Sequence, residues 1–409
     1  TGVQTCALPI STGLTVNADG TIAELKLTQS APAEHPVLRP HRLAVGFYNE
    51  DAATGKIVRT DRFELDVDGK STVVAAAAGK KRPAFILVND DDLTYTKLRF
   101  DADSLSFALA NLQHFDDALA RAVVWLSLWD MTRDGDLAAE KFIDTTLALL
   151  ATETESTTFR YALSCMSTTA WHYTAPDRRA DVVKHIAKEL WKLVIAAPGG
   201  SDQQFQLVTA YLGYGEEGDA EFAEHAQGLF DGSLIVAGLE IDNNFTWTII
   251  NALSSVKLID QAGIDAQLAK RDTTENREFA LGAHAVRGDA AAKEWAWNEA
   301  LNNADLTNMQ LEAVARGFGA TPRPDLAEPY AAKYYDVVDW VWKNKSFHMA
   351  EALLEGLYPY YADPATLVEL GHRWLADHED ADNALKRIVR GNVESSQRTL
   401  KVRDFNAAL

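Results

Sequence analysis

The hydrophobic period of this chain changes once, and that change constrains the fold more than any other feature. From Ser11 to Phe100 apolar residues alternate at every second position, whereas from Ser104 onward they recur at helical spacing. Such a chain builds strands first and helices after. The switch falls within Phe85–Asp101. Phe85–Val88 reads as a buried strand and Asn89–Asp92 as a turn, because Asn and Asp side chains bond their own backbone and tolerate left-handed conformations. Thr94–Phe100 reads as a half-exposed strand. Taken alone, the stretch reads as a hairpin.

Upstream, Leu14–Val16, the turn signal Asn17-Ala-Asp-Gly20 and the alternation Ala23/Leu25/Leu27 form a first hairpin. Pro32, Pro36 and Pro40 mark a loop, since proline cannot donate to a ladder. Leu43/Val45/Phe47, Phe63/Leu65/Val67 and Val73–Val74 complete about seven short strands, the pattern of a small antiparallel β-sandwich. Thr1–Ile10 carries no pattern tied to the strands after it and resembles translated sequencing adapter. It is set aside as a non-native leader, and the chain reads as a fragment beginning near Ser11.

Downstream, Val182, Val183, Ile186, Ala187, Leu190, Trp191 and Val194 form one apolar stripe, and Phe142, Ile143, Thr146, Leu147 and Leu150 another. No proline interrupts Pro83 to Pro176 or Pro198 to Pro322. Short loops such as Arg133-Asp-Gly135 and Pro198-Gly-Gly200 separate segments of roughly 12–18 residues, which suits antiparallel helix pairs stacked into a superhelix. No strict sequence period exists, so any repeat is structural only. The expected fold is mainly α: a leader over 1–10, a β-sandwich over 11–101, and a HEAT-like helical domain over 102–409.

A net charge of −20 argues against a nucleic-acid partner, because phosphate binding needs a basic surface. The two cysteines, Cys6 and Cys165, offer neither a disulfide framework nor a thiolate metal site. No run of eighteen apolar residues is long enough to span a membrane, and no basic segment followed by an apolar one marks a secretory signal. The expectation is a cytoplasmic protein with no membrane partner.

The search for chemistry is mainly negative. A zinc-peptidase helix needs two histidines four apart around a glutamate. The ten histidines are His35, His41, His114, His172, His185, His225, His284, His348, His372 and His378, and no two have that spacing. His372 and His378 lie on different helix faces among acidic neighbours, a solvated helix end. Cys165 sits in an apolar helical stretch and reads as a small buried hydrophobe. Gly213-Tyr-Gly-Glu-Glu-Gly218 follows no strand, and its acidic pair would repel phosphate. Trp295, Trp297, Trp340 and Trp342 read as core or groove wall. Lys386, Arg387, Arg390, Arg398, Lys401 and Arg403 read as a charged face, solvated or docked on acidic neighbours. No catalytic residue and no metal ligand is expected.

Ile86-Leu-Val-Asn-Asp-Asp-Asp-Leu-Thr-Tyr-Thr-Lys-Leu-Arg-Phe-Asp101, preceded by Leu38-Arg-Pro-His-Arg-Leu-Ala-Val-Gly-Phe-Tyr48, resembles the point where the β-sandwich of M1 (gluzincin) aminopeptidases N, particularly the actinobacterial type, passes into a helical C-terminal domain. Arg121–Gly135, Asp242-Asn-Asn-Phe-Thr-Trp247, Lys293-Glu-Trp-Ala-Trp297, Gly317-Phe-Gly319 and Tyr334–Trp342 continue the likeness in order, so it covers essentially 11–409. One departure is Thr246, which replaces an arginine usual before that tryptophan. The family positions Asn89, Asp92, Tyr95, Arg99, Asp130, Arg133, Asp242 and Trp247 are the candidate structural or chamber-lining residues.

The resemblance implies a parent enzyme whose zinc, held by a His-Glu-x-x-His helix, activates water with the glutamate as general base. That motif and the Gly-x-Met-Glu-Asn loop are absent from this chain. The implied role is the non-catalytic part, inactive alone, that caps the active-site chamber and admits short peptides; its partners would be the parent's catalytic domain and those peptides. The alternative from a different class is a free-standing helical-repeat scaffold that binds peptides or proteins. An independent enzyme has no paired carboxylates or nucleophile–base set to support it.

Overall fold

The computed structural model describes residues 7–33 and 36–409, so Cys6 and His35 lie outside the described residues. The chain divides into two compact units, one reaching to Thr169 and the other spanning Ala170–Ala408.

The first unit opens with β1 (Pro9–Val16), β2 (Ile22–Gln29), β3 (His41–Glu50), β4 (Ile57–Val67), β5 (Ser71–Val73), β6 (Phe85–Asp90) and β7 (Lys97–Arg99). They form a four-stranded sheet, β5-β2-β1-β7, and a three-stranded one, β4-β3-β6. The alternation seen in sequence buries Leu25 and Leu27 of β2, while Phe85–Val88 of β6 is buried throughout. Pairing is antiparallel apart from β1 with β7, which run parallel with Ile10 opposite Leu98.

Two expectations are corrected here. Phe85–Phe100 is not a hairpin, because β6 pairs with β3 in one sheet and β7 with β1 in the other. At the end of β6 and just beyond it, Asn89, Asp91 and Asp92 all adopt left-handed φ of 59°, 63° and 51°. Three such residues lead the chain out of one sheet into the next, where a tight two-residue reversal would have kept the strands adjacent. The sheet also starts inside the stretch set aside as leader. Pro9 opens β1 and Ile10 is fully buried. An apolar pair this short shows no period by itself, and its partner strand lies at the far end of the domain.

The unit continues through α1 (Ala102–Asn111), α2 (Ala118–Asp134), α3 (Ala139–Leu150) and α4 (Ser156–Thr168). Asp101 and Asp117 cap α1 and α2 by accepting from backbone N–H groups, and α2 stops at Gly135, whose φ of 73° suits a residue without Cβ. Buried Trp125 of α2 donates to Thr146 of α3 at 3.2 Å. Arg121 and Glu153 form a two-pronged pair at 2.8 and 2.9 Å. The change of period near 101 is therefore a change of secondary structure, while the compact unit runs on to Thr169.

A π-helical turn spans Thr169–Tyr173, and the second unit begins within it at Ala170. It continues as α5 (Arg179–Ala196), α6 (Asp202–Leu212), α7 (Ala220–Asp231), α8 (Asn243–Ser255), α9 (Gln261–Lys270), α10 (Thr274–Ala285) and α11 (Ala290–Asn302). It closes with α12 (Asn308–Gly319), α13 (Pro324–Ala327), α14 (Ala331–Asn344), α15 (Phe347–Gly356), α16 (Pro364–Asp377) and α17 (Asn383–Ala407). Along the row α6, α8, α10, α12, α15, α17 each helix packs on the next, and intervening helices pack beside them. This is the neighbour pattern of stacked helix pairs.

Candidate functional site

Six of the eight sequence-selected residues lie in the first unit, and most are explained by packing. The buried Asn89 amide donates to the Thr94 carbonyl at 2.8 Å and accepts from the Thr94 N–H at 3.0 Å, which holds its own left-handed turn. Asp92 accepts from the same amide at 3.1 Å. Tyr95 projects into solvent.

Arg99, Asp130 and Arg133 gather where β7 meets α2. Arg99 donates to Asp136 at 2.8 Å and to Asp134, which also accepts from Lys97 at 2.6 Å. Burial alone would raise Asp134, but the hydrogen bonds and charges of Lys97 and Arg99 hold it below the usual carboxylate range. Burial holds Asp130 above that range against the pull of Lys97. Arg133 lies over the Trp129 ring at 5.5 Å. Burial also pushes the Cys165 thiol up to about 12, so it behaves as the buried hydrophobe expected from sequence. The opposite charges compensate one another, and the lattice ties a strand to a helix.

Asp242 and Trp247 lie in the second unit. Asp242 caps α8 by accepting from Phe245 N–H at 2.8 Å, and Thr246 bonds back to the Asp242 carbonyl at 2.7 Å. Trp247 is buried and donates to Asn276 at 3.1 Å. The eight positions therefore do not converge on one site.

A different group does converge, at the start of the second unit. The π-helical turn stacks Trp171 on Tyr214 at 6.2 Å and His172 on Tyr361 at 4.9 Å. Such turns recur at functional sites. Arg403 of α17 donates to the His172 carbonyl at 2.8 Å, and Asn406 donates to that of Tyr173 at 3.3 Å. Arg403 thus corrects the reading of the tail as a solvated or acid-docked face: burial and the neighbouring Arg179 draw its guanidinium down to about 10, with Asp363 the acidic group opposing them.

Arg179, first residue of α5, is 8% exposed, and its Nε and Nη2 have no hydrogen-bond partner among the described residues. Burial lowers it too, although Tyr361 and Glu216 face it. Burial and these two arginines draw His172 down to about 4, so its ring is neutral at pH 7. Burial raises Glu216, which has Asp219 beside it. One buried and one half-buried guanidinium group therefore share a neighbourhood in which no hydrogen-bonded carboxylate meets Arg179 among the described residues. The one signal in sequence was Arg179 ahead of an apolar stripe, at the helix end where a positive charge is disfavoured.

Among the described residues no three His, Cys, Asp or Glu side chains gather as a group that could hold a metal ion. A two-sheet β-sandwich leading into stacked helix pairs defines the class of protein. The family model of the ERAP1-like C-terminal domain matches residues 85–398, and the chain belongs to that family. Over 398 residues it is 33% identical to Aminopeptidase N of Streptomyces lividans, an alignment that takes in 96% of this chain and 46% of that relative. The chain thus spans about half the length of the relative it matches.

Proposed function

We propose that this chain is the non-catalytic portion of a zinc-dependent aminopeptidase N of the M1 type. In this reading its HEAT-like helical part caps the active-site chamber of the parent enzyme and limits access to short peptides, while the parent releases N-terminal amino acids. The observation that carries the reading is the family match over 85–398 together with 96% coverage of this chain by less than half of an aminopeptidase N. Zinc and the groups that activate water belong, in this reading, to the parent's catalytic domain, which is the chain's partner along with the peptides. The cytoplasm is the proposed location. Among the described residues, no helix is long and apolar enough to cross a membrane.

The test has two arms. The chain alone, supplied with zinc, is expected to bind no stoichiometric metal by elemental analysis and to leave amino-acid anilides intact; an equimolar zinc content with turnover overturns the non-catalytic assignment. The complete enzyme carrying this segment is expected to cleave peptides of a few residues and to lose at least about tenfold in kcat/KM on unfolded protein substrates. Equal rates on both overturn the capping role.

A further inference from the structure

We infer that Arg179 and Arg403, with the π-helical turn Thr169–Tyr173, form a binding site for a small oxyanion, of the class represented by inorganic phosphate and free carboxylates. The inference does not rest on the aminopeptidase reading.

The Nε–Nη2 edge of a guanidinium is the fork that meets two oxygens of a carboxylate or phosphate side by side. In Arg179 that edge is screened from solvent and unpaired among the described residues. Burying a cation without a partner forfeits its hydration with nothing in return, so an unpaired fork in the interior calls for an explanation such as a bound ion. The half-buried Arg403 nearby adds repulsion that an anion would relieve. The acidic groups present do not supply that charge through contact: among the described residues no hydrogen bond joins Glu216 to Arg179, and Asp363 is engaged as the α16 cap, accepting from Thr366 N–H at 2.8 Å. Arg179 also opens an 18-residue helix, whose N-terminal end attracts negative charge. His172 and Tyr361, stacked at 4.9 Å, form an aromatic wall of the site. With the fork enclosed, the ligand must be small, which favours a free anion over an extended chain.

The experiment titrates the 409-residue chain with sodium phosphate and, separately, sodium acetate by calorimetry, with thermal unfolding followed in parallel against sodium chloride at matched ionic strength. One-site binding is expected, with a saturable rise in Tm of about 3 °C beyond chloride. Binding of phosphate but not acetate assigns an inorganic anion, and the reverse assigns a carboxylate. Arg179→Gln is expected to abolish the increment, and Arg179→Lys, which keeps the charge but not the fork, to weaken binding at least about tenfold. The exposed Arg316→Gln is expected to leave it intact. Absence of a saturable heat with both anions in the wild-type chain overturns the proposal whether or not the variants fold. So does an undiminished increment in a folded Arg179→Gln.

Discussion

At the scale of single residues, Lys293 is the clearest case of a side chain whose role is set by distant backbone. It is 2% exposed, and its ammonium donates to the carbonyls of Ala285 at 2.7 Å, Gly317 at 3.2 Å and Phe318 at 3.1 Å, with Thr321 Oγ1 as a further acceptor. These carbonyls close α10 and α12, where the helix dipole favours a cation. Burial nevertheless draws the amine down to about 7. The unfolded chain then takes up a proton here at pH values where the folded chain does not, so folded stability gains as pH rises from about 7 towards the ordinary lysine value near 10.5. Urea titrations across that window are expected to show wild type gaining on Lys293→Met; a constant difference between the two would contradict this. Lys293-Glu-Trp was legible as part of an ordered family likeness, but not as a helix-end clamp, because its acceptors lie up to 28 positions away in the chain.

Among whole elements, close backbone approach decides which helices become neighbours. A Cβ on Gly317 of α12 would meet the Gly282 carbonyl oxygen of α10 at 2.6 Å, and one on Gly319 would meet that of Gly356 in α15 at 2.6 Å. Backbone atoms of packed helices have little room to give. Gly317→Ala therefore loses more by overpacking than the ~1 kcal/mol it gains in helix propensity. A net loss of about 1–3 kcal/mol is expected, read as a lower urea midpoint at unchanged slope. Gly391 of α17 has nothing within 4 Å of its added Cβ, so Gly391→Ala is expected to raise the midpoint. If both variants shifted the midpoint in the same direction, the close approach would not be limiting. Buried polar groups add further ties: Tyr334 of α14 donates to the Leu354 carbonyl of α15 at 2.8 Å and accepts from Asn392 of α17 at 2.9 Å. The stripes that made these segments helices were plain in sequence. The partner of each stripe was not.

For the whole molecule, the excess of acidic groups sets what can approach from a distance. With a net charge of −20 the chain repels polyanions over a Debye length, about 8 Å at physiological salt. No change in anisotropy of a fluorescent DNA duplex is expected at physiological salt; saturable binding that weakens steeply with added salt would overturn that expectation. Arg179 and Arg403 are already counted in that net charge.

Sequence alone determined what depends on near neighbours. The period of two against 3.6 separated strands from helices, and the Asn and Asp run marked a left-handed turn. These are contacts within a few positions of one another, so the order of residues already contains them. Tertiary structure alone decided that β6 and β7 enter different sheets, that Ile10 finds Leu98, and that Arg403 turns inward to the π-helical turn. Each of those depends on groups far apart in the chain, and a local pattern records that a face must be covered without recording what covers it.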